Sequence, residues 1–202
     1  MRHLLPLALL AAGVSAGTAN AQSFSATLGY HNTEPKSGNG SLAGAAADVD
    51  ADWGVTGSAA YHIDDSWSVE LWSGLHKFGH QVSLDGLGTV AGVEHRPTSL
   101  SVNYHFLPER RIRPFVGIGY GQVSVSGEQG LGALSGLGVS ASSDNGVVAQ
   151  LGVDFAVNDW LFLRADARQF QFDTDVVVET LGAVGTANVD PLIFGISVGA
   201  RF

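Results

Sequence analysis

Arg164, Asp166 and Arg168 stand at alternate positions of one segment, and if that segment is a β-strand all three side chains share one face. Glu70, Asp154 and Arg201 hold the matching phase in three other segments, so three acids would meet three bases. In a narrow, water-poor interior such a set does one of two things. It neutralises itself in ion pairs, or it forms a charged constriction that selects solutes. Unpaired charges would carry a heavy desolvation penalty, so the self-neutralising network is the plainer expectation.

Other groupings promise chemistry and fail on spacing. Gly195 to Gly199 reads G-I-S-V-G, formally the G-x-S-x-G of a serine hydrolase. That motif needs a strand-to-helix elbow and a later histidine, and no histidine follows His105. Asp48, Asp50 and Asp52 alternate like the start of a calcium loop, but Trp53 and Ala59 stand where the glycine and the closing acid belong. They are expected to form an acidic loop end, with a weak divalent bridge to lipopolysaccharide as the sharper alternative. His76, His80 and His95, with Asp85 and Glu94 between them, lack a zinc spacing and are expected as exposed loop histidines. No catalytic residue, cofactor or metal is expected.

The elements that must position the charges are strands. Leu192, Phe194, Ile196, Val198, Ala200 and Phe202 alternate with Gly195, Ser197, Gly199 and Arg201. Leu100, Val102, Tyr104 and Phe106 alternate in the same way with Ser99, Ser101, Asn103 and His105. Six further stretches fit: Phe24 to His31, Asp52 to Ile63, Trp67 to His76, Arg113 to Val125, Gly146 to Val157 and Trp160 to Phe172. Apolar residues at every second position suit a wall with lipid outside and a polar interior. Short turns at Asp64 to Ser66, Leu107 to Arg111 and Asn158 to Asp159 alternate with four long segments. Aromatic residues such as Phe24, Tyr61, Trp67, Trp160 and Phe202 gather at the short-turn end as an interfacial girdle. The expectation is an all-β fold, an eight-stranded antiparallel transmembrane β-barrel with short periplasmic turns and long extracellular loops.

Composition agrees with this. Arg2 and His3 precede an apolar run from Leu4 to Val14, and Ala19 to Ala21 supplies a small-x-small pattern. Met1 to Ala21 is therefore expected to be a removed signal peptide, leaving Gln22 to Phe202 as one barrel domain. A formal net charge of −9 argues against nucleic acid as a partner. Cysteine is absent and glycine numbers 27, so stability must come from strand pairing and packing, and helical bundles are disfavoured.

The segments RPFVGIGYG (Arg113 to Gly121), EHRPTSLSVNYHF (Glu94 to Phe106), FDTDV (Phe172 to Val176) and VDPLIFGISVGARF (Val189 to Phe202) together resemble the OmpW family of outer-membrane proteins. The resemblance implies an eight-stranded barrel that passes small, often hydrophobic, molecules across the outer membrane. Apolar residues in the long segments, Leu84, Leu87, Val90, Leu131, Leu134 and Leu137, form either a self-packed loop bundle or an apolar mouth. A greasy solute would avoid the charged lumen and leave sideways, and Gly92, Pro97 and Pro191 mark places where the wall is weak. The alternatives are a non-conducting structural or recognition barrel like the membrane part of OmpA and, less favoured, a lipid-modifying barrel enzyme. Expected partners are outer-membrane lipids and lipopolysaccharide, small hydrophobic solutes, and the barrel-assembly machinery, which would read Phe202. A monomer is expected.

Overall fold

The computed structural model describes residues 23–35, 41–42, 45–136, 139–141, 144–171, 173–178, 182–188 and 190–202. The expected signal peptide and Leu137 lie outside them. The strands are β1 (Phe24–Glu34), β2 (Ser41–Leu42), β3 (Ala45–Val49), β4 (Asp52–His62), β5 (Trp67–Gly74), β6 (Phe78–Leu84), β7 (Gly88–His105), β8 (Ile112–Gly130), β9 (Val139–Ala141), β10 (Asp144–Ala156), β11 (Leu161–Gln171), β12 (Asp173–Val178), β13 (Gly182–Asn188) and β14 (Leu192–Arg201).

Eight of them close a ring in the order β7, β5, β4, β1, β14, β11, β10, β8 and back to β7. All eight seams are antiparallel. This is the barrel that the alternation predicts. Closure matters because lipid offers no partner to a free backbone N–H or C=O. The first and last strands seal it, from Ser25↔Arg201 to Glu34↔Leu192.

Two of the short turns are held by one side chain each. The Asp64 carboxylate accepts from the backbone N–H groups of Ser66 and Trp67, both at 2.8 Å. Asn158 Oδ1 does the same for Trp160 and Leu161 at 3.0 and 2.8 Å. Such Asx contacts reverse the chain without a long loop. Around them, Phe24 stacks obliquely on Tyr61 at 5.1 Å and Trp67 meets Tyr104 edge-on at 4.9 Å. Leu28, Leu71, Leu100, Ile118, Leu151 and Ile196 point outward above this girdle.

The outer half differs from the sequence reading. β7 begins at Gly88, not near Ser99, β8 runs on to Gly130, and β5 stops at Gly74 instead of His76. Much of what reads as loop is therefore strand. β6 pairs with the outer half of β7, β3 adds to β6, and β12 with β13 and β9 forms a separate three-stranded sheet. Strands that project beyond the lipid need no apolar outer face, so the alternation that reveals the inner half fades there.

Candidate functional site

Lumen-facing side chains fall in layers. The most charged layer contains all three acids and both central arginines from the sequence. Arg164 grips Asp154 bidentately, with Nε donating to Oδ1 at 2.7 Å and Nη2 to Oδ2 at 3.0 Å, and its Nη1 donates to Glu70. Arg168 donates through Nη2 to the other oxygen of Glu70 at 2.7 Å, through Nε to Asp166 Oδ2 at 3.0 Å, and through Nη1 to Gln150. His31 Nε2 donates to the remaining Asp166 oxygen at 3.1 Å. Every carboxylate oxygen of Glu70, Asp154 and Asp166 therefore accepts a hydrogen bond, which is what burial of three charges requires. Arg201 stands apart, since its Nη2 lies 3.9 Å from Asp154 and its side chain is 18% exposed.

Sequence reasoning missed His31. Its Nδ1 accepts from the Thr56 hydroxyl at 2.7 Å, so threonine, histidine and aspartate stand in the order of a hydrolase triad. All three are buried inside the barrel, closed off from lipid on the outer wall. The contact aligns Asp166 for Arg168. Gly195 and Gly199 of the G-I-S-V-G string also serve packing. A Cβ on Gly199 would lie 2.2 Å from the Phe162 ring, and one on Gly195 would lie 2.3 Å from the Tyr30 carbonyl.

Directly outward lies an apolar layer of Trp72, Val123, Val148, Phe170 and Ile193, with Val125 beside it. Its signal is present in the sequence as a change along the lumen phase. Glu70 is followed by Trp72, Arg168 by Phe170, and Gln150 is preceded by Val148. Each strand thus turns from polar to apolar as it runs outward.

Further out, Leu84 and Val90 are buried with Ala47, and Leu134 packs against them. Leu131 donates its N–H to the Val90 carbonyl at 2.7 Å. Leu87, at the tip of the β6–β7 hairpin, is 58% exposed. The apolar loop residues thus divide into a small packed core and one exposed leucine. Asp52 accepts from the backbone N–H of Gly79 at 2.8 Å and Asp50 from that of Gln81, so two of the alternating aspartates satisfy the edge of β6. His80 and His95 face inward and stack, whereas His76 is exposed and accepts at Nδ1 from the Val55 N–H at 3.2 Å. Among the described residues, no group of three or more His, Cys, Asp or Glu is arranged to hold a metal ion.

The wall has a step where β7 changes partner. It pairs with β5 up to Ser73↔Thr98 and with β6 from Phe78↔His95, leaving Leu75 to Lys77 outside any strand. Pro97 sits at this step. Its carbonyl accepts from the Ser73 hydroxyl at 3.2 Å, so its nitrogen, which carries no hydrogen, faces the same side.

A closed eight-stranded barrel with an apolar outer wall, an aromatic girdle and a charged interior is a transmembrane barrel of the outer-membrane type. The chain belongs to the OmpW family, whose model matches residues 20–202. It is 32% identical over 172 residues to the outer membrane protein AlkL of Ectopseudomonas oleovorans, spanning 82% of this chain and 72% of that protein. It is 29% identical over 170 residues to outer membrane protein W of Escherichia coli, spanning 81% and 78%. The crystal structure of OprG from Pseudomonas aeruginosa shares the fold, with a TM-score of 0.76 at 24% identity over 89% of this chain and 95% of that one. The solid-state NMR structure of AlkL in DMPC bilayers gives 0.67 at 25% identity, over 100% of this chain and 97% of that one. The protein is thus an outer-membrane barrel embedded in lipid.

Proposed function

We propose that this barrel moves small hydrophobic molecules between its outer mouth and the membrane, releasing them sideways through the wall. The observation that carries this reading is the apolar layer seated on the charged one, with the Arg168 guanidinium 4.7 Å from the centre of the Trp72 ring. An apolar solute that reaches Trp72 is stopped by charges, because entering them forfeits about 25 cal/mol for each Å² of apolar contact. The step in pairing at Pro97 lies beside the same layer, between Trp72 of β5 and Phe78 of β6, and is the place where the wall would part. Pro97 adjoins Leu75 to Lys77, where β7 has no ladder partner on the β5–β6 side although the Leu75 N–H still donates to the Val55 carbonyl at 2.9 Å, and Gly92 lies at a register shift between β7 and β8. Pro191 still accepts from the Phe170 N–H at 3.1 Å.

The filled charged layer also favours a second reading, a structural barrel that moves nothing. Uptake of a small hydrocarbon or terpene by cells with and without the protein separates the two. Protein-dependent uptake with little conductance by the purified barrel is expected. Equal uptake in both strains sinks the transport role, and a wide, steadily open aqueous pore sinks the lateral exit.

A further inference from the structure

A column of four aromatic rings runs from the exposed His76 onto the inner face of the β6–β7 hairpin. His76 stacks on Phe78 at 5.4 Å, Phe78 on His95 at 5.6 Å, and His95 on His80 at 4.6 Å with the rings 15° apart. The last two are 9% and 4% exposed. The Nε2 atom of each is buried without a hydrogen-bond partner. His80 Nδ1 donates to the Asp50 carbonyl, which puts its hydrogen on Nδ1 and leaves a lone pair on Nε2. A buried polar atom with nothing to bond is costly and asks for a ligand.

The surroundings define that ligand. Outward lies the apolar group of Ala47, Leu84 and Val90, and inward lies the apolar layer around Trp72. His95 connects the two, because it pairs across the ladder with Val125, which packs on the inner layer. Burial also holds both imidazoles in the neutral form, with His95 pushed down to about 3 and His80 lowered. A carboxylate therefore gains no ion pair here, and a hydrocarbon leaves the nitrogens unmet.

We propose that His80 and His95 form a binding site for the hydroxyl of an otherwise apolar solute, an alcohol or phenol, which donates to Nε2 of His80 while its body lies on the ring column and the apolar layer. The site rests on the transport reading but has its own readout. It makes the barrel prefer an alcohol to an alkane of equal length.

Histidine-labelled protein in lipid nanodiscs, titrated separately with octan-1-ol and n-octane, provides the test. Octan-1-ol should shift the Nε2 resonances of His80 and His95, and octane should leave them in place. In cells, protein-dependent uptake of octan-1-ol should exceed that of octane by about fivefold to tenfold, the worth of one neutral hydrogen bond. His80→Phe with His95→Phe keeps two aromatic rings in the stack and should bring that ratio near one; a heat-modifiable gel shift checks that the variant folds. Resonances indifferent to octan-1-ol, or responding only to added zinc, would overturn the site. So would an unchanged ratio in the double variant. Shifted resonances with no protein-dependent uptake of either solute would keep the site and discard transport.

Discussion

The guanidinium of Arg168 lies over the ring of Trp72 at 4.7 Å, so the last charge of the ionic layer and the first ring of the apolar layer touch. Cation and π face attract each other, and the contact lets two otherwise incompatible layers share a boundary without an intervening shell of water. Glu70 and Trp72 are two residues apart on β5, and Arg168 and Phe170 two apart on β11. The same pair of strands therefore sets the height of the boundary from both sides.

Within the ionic layer the partners are unequal, and stability should show it. Asp166→Ala strips Arg168 of its Nε partner and His31 of its acceptor, leaving buried donors unmatched. It should destabilise the barrel by about 3–5 kcal/mol. Arg201→Ala removes a 3.9 Å contact with Asp154 and a guanidinium 5.7 Å from the centre of the Phe162 ring, at a partly exposed side chain, and should cost about 1 kcal/mol. Equilibrium unfolding in detergent by urea reads both. Comparable losses would mean that Arg201 belongs to the network on equal terms.

The wall at Pro97 makes a prediction of opposite sign for stability and transport. Pro97→Ala supplies an N–H toward the side where β7 leaves β5, and one added hydrogen bond is worth about 1 kcal/mol. Uptake of a small terpene should fall severalfold while the unfolding midpoint stays level or rises. Unchanged uptake would place the exit elsewhere in the wall.

The inner half of this fold is legible in the sequence because lipid imposes a strict rule on one face of each strand. Phe194, Ile196 and Val198 advertise β14, and their neighbours reveal the lumen, including Arg201. The paired charges are legible as a set for the same reason, since Glu70, Asp154, Arg164, Asp166 and Arg168 all share the lumen phase. Their partners are not. His31 meets Asp166 across 135 positions of chain, and only the register of β1 on β14 and of β14 on β11 brings them together. The projecting strands escape notice because water and neighbouring hairpins, not lipid, cover them, and β6 with its Phe78, His80 and Leu84 reads as loop.

The projecting hairpin should respond to acid. His80 and His95 lie beyond the apolar band, beside the outward, exposed Glu94 and Arg96. Burial lowers both pKa values from 6.5, that of His95 to about 3. A folded pKa below the unfolded one means that the unfolded hairpin binds protons first. Stability from these groups is complete above about pH 6.5 and is lost as pH falls from there toward 3. Hydrogen exchange of β6 amides should accelerate across that window. Replacing both histidines by phenylalanine should flatten the response, and a response that persists in that variant would overturn its assignment to these two imidazoles.

The seam at Phe202 separates a chemical role from a biological one. Its N–H donates to the Phe24 carbonyl at 3.0 Å and its carbonyl accepts from the Phe24 N–H at 3.1 Å, so its backbone adds a rung where the first and last strands meet. Its side chain points outward, half exposed, in the aromatic girdle. Phe202→Ala keeps the rung and removes the ring, so refolding of the purified chain into detergent should be nearly normal, within about 1 kcal/mol of the original stability. If the barrel-assembly machinery reads that ring, the same variant should accumulate much less folded protein in the outer membrane, and Phe202→Tyr should restore most of it. The comparison is made by heat-modifiable gel shift on membranes and on refolded protein from the same variants. Equal amounts of folded Phe202→Ala and unaltered barrel in cells would remove the assembly role and leave Phe202 as a girdle residue alone.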